Sequence, residues 1–124
     1  MKRIIFSIAL MGFSCAYASG PYDGIWETSP YGYAIISERD GILIAVNIYH
    51  EAYGGDWEAF QGERIGNSTR ASALVAKGNL ILDLTMTSDT TFTLTQVDCI
   101  PKDVNDTYCV VPNGTILMLG NKVW

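Results

Sequence analysis

Along most of the chain, apolar and polar positions alternate in short runs that turn residues interrupt. Leu80, Leu82, Leu84 and Met86 share one parity; Asp83, Thr85 and Thr87 share the other. That two-residue period marks a half-buried strand. Residues 91–97 repeat it, with Phe92 and Leu94 inward. Residues 31–38 are rich in strand formers and end at Arg39-Asp40-Gly41, a hairpin signal. Residues 42–50 follow, with Ile42, Ile44, Val46 and Ile48 on one face. After the turn Ala52-Tyr53-Gly54-Gly55-Asp56, residues 57–63 set Trp57, Ala59 and Gln61 against Glu58 and Phe60. Residues 108–111 and 115–119 flank Pro112-Asn113-Gly114, a further hairpin signal.

Residues 69–77 are ambiguous. Ala71, Ala73, Leu74 and Ala76 favour a helix. The segment is only two turns long, however, and Gly78-Asn79 leads into a strand, so it reads as a strand. Together these runs predict an all-β fold: one antiparallel meander of about eight short strands. Tight turns between consecutive strands imply an up-and-down order, as a small barrel or barrel-like sandwich. The alternating apolar faces are expected to enclose a shared interior.

The first eighteen residues follow another logic. Met1-Lys2-Arg3 is cationic, residues 4–13 form an apolar run too short to span a bilayer, and Ala16-Tyr17-Ala18 offers small residues at a cleavage site. This is the layout of a secretory signal peptide, bacterial in style. The expected division is residues 1–18 as signal and 19–124 as one β domain, periplasmic or extracellular. Cys15 raises the alternative of a lipid anchor, which the bulky Phe13 beside it disfavours. No other stretch is long and apolar enough for a membrane span.

Export changes the reading of charge and cysteine. Once Lys2 and Arg3 leave, six basic residues face thirteen acidic ones. A surface so acidic repels phosphate backbones and anionic lipids, which argues against nucleic-acid binding. Cys99 and Cys109 remain, and an oxidising compartment favours a disulfide between them.

The residues Gly24-x-Trp26, Pro30-x-Gly32, Asp40-Gly41-x-Leu43, Tyr49, Gly55 and Trp57 form a spaced pattern over residues 22–62. It resembles a G-x-W, G-x-x-L, Y-x-x-x-G-x-W repeat of uncharacterised secreted bacterial β-domain proteins. Glu27 stands where that repeat has a second Trp, and Val46 and Ile48 where it usually has an aromatic residue. Gly24-Ile25-Trp26 is also similar to the opening of lipocalins and avidin-like barrels. That resemblance implies that Trp26 closes the barrel floor against a basic residue of the last strand, for which Lys122 is the candidate. The polar residues that hold biotin in avidins have no recognisable counterparts.

Catalytic constellations are thin. His50 is the single histidine, beside Glu51 at a strand end, and no Ser or Cys lies in a nucleophile motif. One His and two paired Cys cannot supply a zinc site. Asp103, Asn105 and Asp106 lack the spacing and glycine of a calcium loop and read as solvated turn residues. The expectation is therefore no enzyme, no metal and no cofactor. Aromatic residues crowd the first half of the domain. Trp26 reads as core, whereas Tyr31, Tyr33, Tyr53 and Trp57 are the candidate ligand-binding residues. The expected function is a non-catalytic binding module for a small apolar or sugar-like ligand. The alternative is a protein-interaction, inhibitor or envelope-assembly module using loops or an exposed strand edge, its partner then an envelope protein.

Overall fold

The computed structural model describes residues 20–104 and 108–124; the leader with Cys15, and Asn105 and Asp106 of the disulfide loop, lie outside the described residues. The chain forms β1 (Gly24–Ser29), β2 (Gly32–Arg39), β3 (Ile42–Tyr49), β4 (Trp57–Ile65), β5 (Ser68–Val75), β6 (Asn79–Ser88), β7 (Thr91–Ile100) and β8 (Ile116–Lys122). Consecutive strands pair antiparallel, and β8 pairs back onto β1, closing a barrel. Closure settles the choice between barrel and sandwich. It also removes the exposed strand edge, one of the two surfaces offered for the interaction reading, and leaves the loops.

Local chemistry sets the register. Asp40 and Gly41 both adopt positive φ, 53° and 78°. That is the twist of a two-residue hairpin turn, and Gly at the second position adopts it without steric cost. Arg39 is thereby paired with Ile42. Arg39 points to solvent, so Ile42, Ile44, Val46 and Ile48 do too. This corrects the expectation that the aliphatic face of this strand lies inside. Leu43, Ala45, Asn47 and Tyr49 face the interior instead.

The ambiguous segment is a strand. Thr69 and Ala71 are buried and Arg70 and Ser72 exposed. Strand pairing on both sides overrides the helix propensity of its alanines. Residues 108–111, in contrast, are not a strand. Val111 gives its carbonyl to the Gln96 side chain at 2.7 Å, and β7 pairs with β8 from Ile116 onward. The last hairpin is instead a long loop, residues 101–115, tethered by the Cys99–Cys109 disulfide with a Cα–Cα distance of 5.5 Å.

An eight-stranded barrel is just wide enough for side chains to fill it. Ile36, Leu43, Phe60, Leu82, Leu84, Leu94 and Met118 pack its middle, where only about 20 Å³ stays free. One end is a floor. There the connections are the two-residue turns at Asp40-Gly41, Gly66-Asn67 and Asp89-Thr90. Trp26 is fully buried, donates Nε1–H to the Tyr22 carbonyl at 3.0 Å, and tilts against Phe92 at 5.1 Å. Phe92 in turn lies across Gly120, where a Cβ would strike its ring. Lys122 Nζ sits 5.4 Å from the Trp26 ring centroid, the partner proposed for it from sequence. Glu38, also buried, takes an ion pair from Arg64 at 2.5 Å. At the other end two of the four connections, residues 30–31 and 76–78, stay short, but the other two lengthen to residues 50–56 and 101–115, and the barrel opens.

Candidate ligand site at the open end of the barrel

The interior residues nearest the open end change in kind. Apolar layers give way to Asn47 on β3, Glu58 on β4 and Gln96 on β7, all buried. Each continues the inward parity of its strand: Glu58 precedes Phe60 by two, and Gln96 follows Leu94 by two. A cavity of about 170 Å³ opens here. Leu80, Leu82, Leu94, Leu117 and Met118 form its apolar depth, and Tyr31, Tyr49, Glu58 and Tyr108 stand toward the rim.

The polar groups are linked. Tyr49 donates its hydroxyl to Glu58 Oε2 at 2.6 Å, and Tyr108 donates to Oε1. Asn47 Nδ2 reaches the Tyr49 oxygen at 3.3 Å and the Met118 sulfur at 3.4 Å. Gln96 Nε2 donates to the Val111 carbonyl and to Asn113 Oδ1. Burial, then the hydrogen bond to the Glu58 carboxylate, pushes the Tyr49 phenol well above its ordinary range, so it stays a proton donor across neutral pH.

A wider groove, about 480 Å³, continues outward over the rim. Tyr31, Tyr49, Glu58 and Tyr108 belong to both spaces; Tyr53, Asp56, Trp57, Val75 and Lys77 line the groove alone. Glu51–Tyr53 form a short 3-10 turn that swings Tyr53 edge-on to Tyr31, ring centroids 5.1 Å apart. Lys77 bridges to Asp56 at 2.6 Å on the same rim.

Three of the four aromatic candidates therefore come together: Tyr31, Tyr53 and Trp57. Tyr33 does not. It lies on the outer wall, packed edge-on against His50 at 5.8 Å. His50 lines neither the cavity nor the groove. Asn47, Tyr49, Glu58, Gln96 and Tyr108 were not singled out from sequence. The parity of Gln96 with Phe92 and Leu94, and of Glu58 with Phe60, carried the signal for two of them.

Outside, the wall divides in two. On β2, β3 and β4 it is apolar, with Tyr33, Ile35, Ile44, Ile48 and Trp57 all exposed. On β5, β6 and β7 it is polar: Arg70 forks onto Asp83 at 2.8 and 2.9 Å, and Ser68, Thr85, Thr87 and Thr91 bond across strands. No group of metal-ligating side chains gathers among the described residues, and no helix there is long and apolar enough to cross a membrane. Compared with protein-family models, curated proteins and solved structures, the chain matches none.

Proposed function

We propose that this chain is an exported, non-catalytic binding module that takes a small, largely apolar molecule into the open end of its barrel. The carrying observation is the cavity itself: an apolar pocket with a few convergent polar groups, at the end that carries the two long loops. Ligand sites are built in this way, and long loops on rigid scaffolds ordinarily serve recognition. A cavity near 170 Å³ suits a group about the size of one aromatic ring, and the rim groove accommodates more. His50, the single histidine, lines neither the cavity nor the groove, so this reading assigns no general base to the mouth. The disulfide suits an oxidising compartment.

The test is native mass spectrometry of protein purified without denaturation, followed by an NMR titration with toluene. Toluene should shift amides around Leu80, Leu94 and Met118. Leu82→Trp, which fills the cavity, should abolish those shifts. Shifts unaffected by that substitution would overturn the assignment.

The second reading, an interaction or envelope-assembly module, draws on the exposed apolar wall of β2–β4. Its mark would be a solution mass above that of the monomer that Ile44→Lys reduces while the toluene shifts persist.

A further inference from the structure

We infer that the ligand of the mouth carries a cationic donor, a primary ammonium on an apolar body, seated against Glu58. This rests on the mouth being a ligand site and adds the class of ligand.

Glu58 is 5 % exposed. Its oxygens each accept one phenolic hydrogen bond, from Tyr49 and from Tyr108. Phenols solvate a carboxylate but do not neutralise it, and about half of its acceptor capacity remains. A carboxylate withdrawn from water ordinarily finds a cation. The barrel contains its own comparison. Glu38 is 3 % exposed at the floor and has the Arg64 guanidinium at 2.5 Å. No salt bridge joins Glu58 to a Lys or Arg among the described residues; Lys77, on the same rim, is bridged to Asp56.

The hydrogen-bond directions agree. The Tyr49 hydroxyl is spent on Glu58, and the Gln96 amide on Val111 and Asn113. The Asn47 amide points at the Tyr49 oxygen and the Met118 sulfur. These side chains have committed their donors inside the protein, so what they still offer a ligand is acceptors. A complementary ligand brings hydrogens, and one with positive charge also supplies the counter-ion. An anion would meet the Glu58 carboxylate. The rim rings of Tyr31, Tyr53 and Trp57 favour the same sign, because aromatic faces attract cations.

The experiment compares three probes of one shape on the intact, disulfide-bonded chain: benzylammonium, benzyl alcohol and benzoate, each followed by NMR titration. Benzylammonium should bind about tenfold or more tightly than benzyl alcohol, a difference near 1.4 kcal/mol, and benzoate weakest of all. Glu58→Gln should remove that preference and leave benzyl alcohol within about threefold, since the amide keeps the shape and loses the charge. If benzyl alcohol binds at the mouth as tightly as benzylammonium, the cationic class is overturned and the ligand site stands. If no probe shifts the mouth amides, both fall. Should Glu58→Gln fail to fold, the order of the three probes on the unaltered chain decides alone.

Discussion

The two ends of this barrel are made from the same kinds of residue and are put to different use. Each has a buried glutamate, at least one tyrosine, and an aromatic group contacted by a neighbour. At the floor, Glu38 is matched by Arg64, Arg64 also lies over the Tyr22 ring, and Lys122 lies over Trp26. Asp23 ties the entering chain to Arg39 at 2.6 Å and accepts from the Glu38 backbone. The turns are as short as hairpins allow. At the mouth, the corresponding carboxylate is held by phenols, two of the loops are long, and space remains. The difference separates stability from recognition: the floor satisfies its charge within the chain, while the mouth keeps acceptors and volume in reserve.

The sharpest way to break that contrast is to truncate one tryptophan at each end. Trp26→Ala should cost about 3–5 kcal/mol, the range for emptying a large aromatic site in a core, read as a lower urea midpoint. Trp57→Ala, at 54 % exposure, should stay within about 0.5 kcal/mol. Equal losses would erase the division between the ends. Next in size is the mouth's own staple. Replacing Cys99 and Cys109 together by Ser should cost about 2–3 kcal/mol, the loop-closure estimate for a sequence separation of 10. It should also broaden the Tyr108 resonances while leaving the Trp26 indole signal unchanged.

The paired glutamates give a finer test. Glu58→Gln keeps an acceptor for a tyrosine hydroxyl and should change stability by no more than about 1 kcal/mol. Glu38→Gln deprives Arg64 of its counter-charge and should lower the urea midpoint further. The reverse order would mean that the mouth, not the floor, depends on its carboxylate.

The smallest effect lies on the polar outer wall. The hydrogen bonds from Arg70, opposed by partial burial and aided by its charge, hold the Asp83 carboxyl below its ordinary value. A carboxyl lowered in the folded state stabilises the fold above its unfolded value, and that contribution is lost as pH falls through the lowered one. Asp83→Asn should therefore lower stability slightly at neutral pH, leave the most acid end nearly unchanged, and so flatten the acid limb, as followed by urea midpoints from neutral into the acid range.

Much of this architecture was legible before any coordinate. The alternation in β6 and β7, the Asp40-Gly41 turn and the cysteine pair follow from local pattern or spacing, whereas the meeting of Trp26 with Lys122 was implied only by the resemblance to lipocalin and avidin-like barrels. What was hidden had a common cause. On β3, both parities carry apolar residues, so periodicity alone cannot choose an inside face; the Arg39–Ile42 pairing across the turn makes the choice. Tyr33 and Tyr31 are both aromatic and share a parity, yet Tyr31 sits in the turn before β2 and lines the mouth, whereas Tyr33 lies on the strand and faces the wall. Glu58 reads as one of many surface acids until its strand partner Phe60 is known to face inward. Tyr108 reaches Glu58 only because the disulfide folds its loop back across the opening, a contact between residues fifty positions apart.

Barrel closure has one further consequence. Seven pairings join neighbours in sequence, and a single seam, Trp26 with Lys122 through Ser29 with Leu119, spans nearly the whole described chain. Ile25 N–H bonds the Trp124 carbonyl at 2.8 Å across that seam. A circular permutant stitched there and cut at Gly66-Asn67 would convert the most distant pairing into an ordinary local zipper, relocating the costly entropic step to β4 and β5 without disturbing the aperture on the opposite side.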